Sequence, residues 1–520
     1  MGLTVTPVGE YHVLVQIELT GKTLYFADKS MSMSDGNYYD GRLRISSLQR
    51  AFSSFTEPKQ RQSTLTATIM DEDGTVRQLL EDYTWGNRAV KVYVGKGTNL
   101  NDYDLDFHGI IKFPGGVSYD RKEVRIKLRD YRNKEWVMMP VNRYWLTNYP
   151  NLESGADGTP IPVIYGDFSD TPVPVTCIDT STKQFKIANH EIGEIGQVYK
   201  NGSPISSSDT DLINATFKIS DSYTPGADEI TVKCKGRVVE STLLENPVDI
   251  LEDVLLNYVG IDAGSIDDDN FDDLRAELEF FSCRRYIDEE LSSNTLLDEL
   301  AIECMFDYFI QNDKYTVRGR LPTFTVDRTF DETQVINNSM RVDSDPESLY
   351  ANRINFEYDR DPVEEEYTRT GQEDKTEAQT EIGLIIPRTI RFNWLYLVSN
   401  TTTIAQHLLL LYSTEVKVVS FSALGEGLLT KLADRVGLTY GNFTNRPLYV
   451  REYMKHFNSI KCTINGYDMI GQFLPGYWCN DSAPNYDNAD EQERASQGFW
   501  TDDDGYAKTG DEDSKVSHWW

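Results

Sequence analysis

Alternation of apolar and polar residues dominates the first 140 positions. Tyr11-His-Val-Leu-Val-Gln-Ile-Glu-Leu19, Ser63-Thr-Leu-Thr-Ala-Thr-Ile-Met70, Ala89-Val-Lys-Val-Tyr-Val94, Asp104-Leu-Asp-Phe-His108 and Glu123-Val-Arg-Ile-Lys-Leu-Arg-Asp130 repeat with a period of two. That period predicts strands that bury one face and expose the other. Asp71-Glu-Asp-Gly74, Gly115-Gly116 and Asp120-Arg121 supply turns between them, with Gly providing the positive φ that tight turns need. Short strands at this spacing predict a β-barrel or sandwich. Asn142 to Gly158, rich in Asn, Pro and Gly, reads as a connecting loop, and Pro160-Ile-Pro-Val-Ile-Tyr-Gly166 closes the region.

A second β-unit follows, from Val173 to about Arg237. Its strands are Gln184 to Ala188, Gln197 to Gly202, Ala215 to Ile219 and Glu229 to Cys234, separated by Asn201-Gly202 and Pro225-Gly226, which predicts a small inserted sandwich. The pattern then lengthens. Pro247 to Tyr258 carries Ile250, Leu251, Val254, Leu255 and Tyr258 on one stripe, with Asn246 as N-cap, Pro247 at the first helical position and Gly260 beyond the end. A second helix starts near Thr295, with Asp298 in a capping-box arrangement, and leads into a hairpin of Asp307–Ile310 and Tyr315–Arg318 through Asn312-Asp313. Asn352 to Tyr358 and Val416 to Ser422 read as strands around a Thr402 to Tyr412 helix, and the acidic Val363 to Ile382 reads as a loop or long exposed hairpin. Beyond Trp478 the chain is polar and acidic with isolated tryptophans, too poor in apolar residues to fold alone.

Four stretches carry a resemblance to a known family. Trp85-Gly-Asn-Arg-Ala-Val-Lys-Val-Tyr-Val94, Phe107-His-Gly-Ile-Ile111, the strand ending in Leu128-Arg-Asp130, and Pro162-Val-Ile-Tyr-Gly166 occur in that order. Their order resembles the N-terminal part of tail-tip or baseplate hub proteins of tailed bacteriophages. Leu296-Leu-Asp-Glu-Leu-Ala301 with its hairpin, then Asn352 to Tyr358, the Thr402 helix and Val416 to Ser422, extend the likeness over most of the chain. The resemblance implies a mainly β, multidomain protein with some α, built from β-barrel or sandwich domains and short helices. Five segments are expected: a barrel-like domain at 1–166, an inserted β-sandwich at 167–242, an α+β unit at 243–340, a second barrel-like domain at 341–479 and an acidic arm at 480–520. Residues 1 to 140 and about 340 to 470 would form the paired ring domains.

The same resemblance implies a homotrimeric virion protein at the tail tip, made in the host bacterial cytoplasm. It would close the tail tube and join the distal tail protein ring to a central fibre or spike and to the tape-measure protein during DNA ejection. Trp85, Gly109, Pro162, Tyr165 and Gly166 are the matching structural positions, with Tyr165 and Gly166 marking the exit into the inserted module. Apart from the resemblance, Trp500, Trp519 and Trp520 are isolated large aromatics in a polar segment, candidate anchors of the arm on a partner or of a tail folded back on its own chain.

Composition sharpens this picture. A chain of 520 residues is too long for one core, and 39% apolar with 12% aromatic content supplies material for several. The 83 acidic and 51 basic residues give a net charge of −32, which disfavours stable nucleic-acid binding and suits a wall past which DNA must slide. The six cysteines show no CxxC and no zinc spacing, as expected of buried thiols in a reducing compartment. No stretch resembles a secretory leader or a spanning helix, the Leu408–Leu411 run being far too short.

Catalytic patterns are not evident. The six histidines are scattered, without HExxH, and no G-x-S-x-G elbow occurs. Gly95-Lys-Gly-Thr98 fails the phosphate-loop pattern and Gly425-Glu-Gly-Leu-Leu-Thr430 the dinucleotide fingerprint. Asp267 to Asp273 and Asp502 to Asp504 lack the spacing of a calcium loop and read as solvated turns. Asp102, Asp104 and Asp106 share one strand face by period two, as in a charge-protected edge strand. No cofactor, metal or catalytic residue is therefore expected. A glycan-recognising receptor-binding protein, using 30 Tyr and 8 Trp as stacking platforms, is the alternative, and a tail-associated glycoside hydrolase with two unassigned carboxylates is the third.

Overall fold

The computed structural model describes residues 11–54, 57–60, 63–130, 137–311, 314–320, 326–344, 350–414 and 417–469, with the backbone of three short C-terminal strands at 477–478, 497–501 and 516–518. Strands dominate, with six short α-helices among the described residues.

The first sheet is antiparallel throughout. It runs in the order Lys22–Ala27, His12–Leu19, Ala89–Gly95, Tyr103–Ile111, Glu123–Asp130, Thr64–Met70 and Leu43–Ile45, with Val117–Tyr119 also paired to Glu123–Asp130. Inward residues such as Val13, Val15, Ile17, Val90, Val92, Ile126 and Leu128 form its core with Trp85. The alternation predicted these strands, because each buries one face. The Thr75–Asp82 helix after the Asp71–Gly74 turn was not anticipated from the pattern. Its short apolar stripe, Val76 with Leu79 and Leu80, packs on the same core.

The second sheet departs most from a linear division of the chain. Its order is Lys314–Gly319, Phe306–Gln311, Glu57–Gln60, Leu48–Ser54, Phe443–His456, Lys461–Asp468, Lys417–Leu424 and Arg341–Ser344, with Arg435–Tyr440 attached to Phe443–His456 and Arg328–Phe330 paired in turn to Arg435–Tyr440. The Leu48–Ser54 and Glu57–Gln60 hairpin thus leaves the first domain and completes the sheet of the last. Along one strand Leu48 belongs to the first core and Phe52 to the second, where it meets Phe309 edge to face at 5.6 Å. In return, Leu428 and Phe457 from the C-terminal part join the first core. Both sheets have two free ends, so among the described residues neither closes into a barrel.

The inserted module is a sandwich. A five-stranded sheet carrying Asp167–Pro174, Ile230–Val239 and Ile192–Lys200 faces a four-stranded sheet of Thr176–Asp179, Gln184–Lys186, Thr216–Ile219 and Ser207–Asp211. Phe185 and Phe217 stack at 5.5 Å in the core between them. Its Asn201-Gly202 turn has φ of 48° and 76°, the two positive values of the tight hairpin that Asn-Gly favours.

The largest core is helical. Pro247–Asp253, Asp268–Glu277, Ser293–Glu303 and Val398–Tyr412 pack with Val163–Tyr165 and with the small sheet of Tyr367–Asp374, Arg353–Arg360 and Pro387–Arg391. Residues 350–412 therefore join this unit rather than the second sheet. The Asn246 side chain accepts from Val248 N at 2.9 Å, as expected of an N-cap. The α-helix ends at Asp253 and continues as a π-turn through Val259 to Gly260 at φ 73°. Two expectations are corrected here, and a third is narrowed. Asp298 lies inside the helix, which begins at Ser293, and accepts from Asn294 and from the Tyr308 hydroxyl. Asp268–Glu277 is a helix rather than a solvated turn, because Phe271 and Leu274 give the acidic run a buried face. Val363 to Ile382 is the hairpin of its two alternatives, the mostly exposed Tyr367–Asp374 strand pairing antiparallel with Arg353–Arg360, and the Thr376–Ile382 helix that follows is the part not expected.

Candidate functional site

The charged groups with the most structural consequence lie at the seams between units. At the seam of the two large sheets, the pairing of Tyr103–Ile111 with Ala89–Gly95 slips between Leu105 and Phe107. This bulge turns Asp106 out of alternation. Asp102, Asp104 and Asp106 therefore do not share a face: Asp102 ends a short 3-10 turn, Asp104 stays half-buried, and Asp106 is buried against the Lys455 ammonium. Among the described residues only the Gly109–Ile111 end of this strand lies between two neighbours, while the stretch that carries Asp104 and Asp106 runs beside Ala89–Gly95 alone. Arg50, between Leu48 and Phe52, donates to the Asp106 carbonyl at 3.0 Å and to the Ile310 carbonyl at 2.7 Å. Four chain segments, at Arg50, Asp106, Ile310 and Lys455, meet on this one knot. The cavity beside it measures about 10 Å³, too small for an organic ligand. Close by, the Tyr449 hydroxyl donates to Asp307 at 2.5 Å, and buried Arg320 pairs with the same carboxylate.

At the seam of the inserted module the anchor is Arg284. Its guanidinium pairs with Asp170 of the module and Asp359 of the small sheet, donates to the Asp167 carbonyl at 3.0 Å, and lies 4.2 Å over Tyr396 and 5.0 Å over Phe168. A buried charge is tolerated only when paired and hydrogen-bonded on most sides, and Arg284 meets that condition. His190 is the second pin. Its Nε2 accepts from Ile164 N at 3.0 Å, which places the proton on Nδ1, facing the Glu191 carbonyl at 2.9 Å. Burial, with Arg237 and Lys186 nearby, pushes its pKa down to about 3.

The positions matched by family resemblance are all interior. The Trp85 indole donates to the Leu79 carbonyl at 3.0 Å. Gly109 leaves space that the Phe107 ring and the Arg129 carbonyl occupy. The Pro162 carbonyl accepts from Asn189 N at 3.0 Å. The Tyr165 hydroxyl donates at 2.6 Å to Asp253, which Arg237 and Asn257 also hold. Gly166, at φ 80°, stands where the chain enters the module and the returning strand crosses it, its carbonyl accepting from Gly236 N at 2.8 Å. Any Cβ there would collide with the Cys283 carbonyl. Trp500 lies in the Gln497–Thr501 strand, paired with Val516–His518, while Trp519 and Trp520 lie outside the described residues.

Sequence reasoning did not single out Arg50, Lys455, Arg284 or Asp359, and it placed Asp106 on one strand face with Asp102 and Asp104 rather than in a buried pair. A signal for two of them exists: Leu48, Arg50 and Phe52, and Tyr453, Lys455 and Phe457, put one cation between apolar residues on a strand's buried face. The bulge at Asp106 leaves no such trace.

Among the described residues no group of three metal-ligating side chains forms. The five described cysteines are unbridged and buried, Cys283 Sγ lying 3.5 Å from Cys304 Sγ. An open groove of about 530 Å³ on the module is lined by Glu153, Pro174, Tyr223, Asp228 and Ile230. Two of its three acids are committed internally, Glu153 to Cys177 N and the Tyr223 hydroxyl, and Asp228 to Thr224 N, Asn201 and Lys200, while Glu229 is exposed. No helix of the described residues is long and apolar enough to cross a membrane.

No protein-family model matches the chain, and no curated protein matches its sequence. Among solved structures it is similar to a tail protein from Neisseria meningitidis MC58, at 9% identity and TM-score 0.43, covering 89% of this chain and 98% of that one. It is similar to the 43 kDa tail protein of prophage MuSo2 from Shewanella oneidensis, at 9% identity and TM-score 0.40, covering 88% and 99%. A third is the prophage tail protein gp18 from Listeria monocytogenes EGD-e, at 10% identity and TM-score 0.38, covering 88% and 94%.

Proposed function

We propose that this protein is a structural component of a phage tail tip or baseplate, acting as its hub. The observation that carries the reading is the exchange of strands between the two large sheets. The Leu48–Ser54 and Glu57–Gln60 hairpin is built into the second sheet while Leu428 and Phe457 fill the first core. A pull on either sheet must then shear backbone hydrogen bonds and expose the buried Arg50, Asp106 and Lys455 knot, rather than peel apart a soft interface. That is the construction required of a part that transmits force between a tube and what lies beyond it. The ordered sequence resemblance from Trp85 to Gly166 supports the same reading. In this role the chain would assemble as a homotrimer, contact the distal tail ring, the tape-measure protein and a central fibre or spike, reside in the virion, and let DNA pass during ejection without binding it stably. Intrinsic enzymatic activity is not part of the proposal.

Light scattering on the purified full chain and gold labelling of particles test it. The expected results are a mass of about 178 kDa, three times 59.4 kDa, and label at the tail end distal to the capsid. A monomer that binds cell-wall glycan, or label elsewhere on the particle, sinks the hub reading.

A further inference from the structure

The outward face of the first sheet is cationic in a chain whose net charge is −32. On the Glu123–Asp130 strand, Arg125, Lys127 and Arg129 are exposed, while Val124, Ile126 and Leu128 point into the core. Register continues the face sideways. Arg125 lies between Thr68 and Ser118, Thr68 in turn beside exposed Arg44, Lys127 beside Thr66, and Arg129 beside Thr64. The result is a set of four cations interleaved with hydroxyls, on strands that neighbour one another. Glu123 pairs with Arg125. Arg44, Lys127 and Arg129 form no ion pair with a described residue. Clustering like charges on neighbouring strands is unfavourable, so an anionic occupant would relieve a cost the free face bears.

We infer that this face is the docking site for the chain's own acidic C-terminal segment, residues 479–520, from the same copy or a neighbouring one. Three arguments favour this occupant. The segment holds 11 acidic and 3 basic residues, a charge opposite to the face. Asp502 and Asp504, and again Asp511 and Asp513, repeat at the two-residue interval that separates Arg125, Lys127 and Arg129, about 7 Å in an extended chain. Reach is set by two short tethers, because Tyr477 pairs with Gln497 and Trp478 with Gly498: the body of the fold ends near Met469, and about eight residues to Tyr477 plus about four from Gly498 to Asp502 span on the order of 40 Å when extended. The threonine and serine hydroxyls add donors to carboxylates that the cations attract. This inference stands independently of the tail reading.

Zero-length carbodiimide coupling of the full chain, read by peptide mass spectrometry, tests it. Lys127 is expected to form amides with Asp or Glu between 481 and 513. Yields should fall at least tenfold in 1 M NaCl, where screening shortens to about 3 Å, and equally in R44E/R129E and in D502N/D503N/D504N. The aspartate variant leaves the folded body untouched, so misfolding cannot mimic the result. Mixing isotope-labelled and unlabelled copies assigns the link within or between chains, and either assignment supports the docking. Coupling of Lys127 only to Glu123 or other body carboxylates, or arm links that persist unchanged in R44E/R129E, overturns it. So does protection of Lys127 that appears only when double-stranded DNA is added.

Discussion

The inserted module and the pair of large sheets are attached to the molecule in opposite ways. The module leaves at Tyr165 and Gly166, folds within itself around Phe185 and Phe217, and returns on the Ile230–Val239 strand. The Arg284 and His190 side chains hold it in place, with scattered backbone hydrogen bonds such as Asn189 N to the Pro162 carbonyl but no shared sheet. The two large sheets instead trade backbone, and their charged groups lie inside the trade. A unit joined by side chains can tilt or detach while remaining folded, whereas a unit joined by exchanged strands cannot come away without unfolding its neighbour. On that reasoning the large sheets should unfold as one cooperative body and the module should loosen separately.

Asp106→Ala strikes the exchanged seam hardest. It leaves Lys455 buried without its carboxylate, and breaking one partner of a buried pair costs about 3–5 kcal/mol. Urea midpoints followed by fluorescence and by hydrogen exchange should show both sheets destabilised together. The double variant Asp106→Leu with Lys455→Met should recover most of the loss, since an apolar pair of similar size removes both charges. Destabilisation confined to one sheet would mean that the exchange does not couple them.

Gly166→Ala tests the module's attachment with an expected loss of about 3 kcal/mol, combining a strained positive φ with a collision that backbone must move to relieve. Its Cβ would meet the Cys283 carbonyl and the Arg284 backbone. Exchange protection should fall where the module meets Val163–Tyr165 and Arg285–Ile287, and the sandwich core should keep its protection. Equal loss across the large sheets would erase the distinction between the two kinds of attachment.

How far these seams could be read from sequence differs in the same way. The module was legible, because Asn201-Gly202 and the alternation around it are local signals, and both appear in the structure. The Asn246 cap and Gly260 stop were legible for the same reason, although the π-turn after Asp253 was not. Strand exchange is a long-range pairing: nothing in Leu48-Gln-Arg-Ala-Phe52 states that its partner is Phe443–His456, some 400 residues on. Arg50 and Lys455 on apolar faces are the hints, and each signals a buried cation without naming the carboxylate. The Asp106 bulge reversed the face that period two assigned, since one extra residue in a strand flips every side chain beyond it.

Acidity should separate the regions by sign. His190 is held neutral in the fold, its pKa lowered from 6.5 to about 3, so its contribution is present above pH 6.5 and is lost as pH falls toward 3. At pH 5 that amounts to about 2 kcal/mol, felt at the module seam. Glu303 in the helical core behaves oppositely. Burial raises its carboxyl to about 8, against the pull of the Asn393 and Trp394 amides. Its contribution is therefore present below about 4.5 and is lost as pH rises through 8, again about 2 kcal/mol between pH 5 and 7. Exchange measured at pH 5 and pH 8 should open the module seam first in acid and the Ser293–Glu303 helix first in base. His190→Gln and Glu303→Gln should each flatten only their own region's profile, and a shared profile for both would show that the seam does not isolate them.

The smallest effect isolates what Gly166 contributes beyond its backbone angle. Gly202 has nearly the same conformation, φ 76° against 80°, but no atom lies within 4 Å of where its Cβ would stand. Gly202→Ala therefore carries the left-handed strain alone, about 1 kcal/mol, and carries it in a turn whose strands belong wholly to the module. Thermal unfolding of the two alanine variants side by side gives the difference directly: about 2 kcal/mol more for position 166 is assignable to the crossing of chains rather than to glycine's freedom. If Gly202→Ala costs as much as Gly166→Ala, the close approach at the module's root contributes nothing, and the attachment rests on Arg284, His190 and the scattered backbone hydrogen bonds.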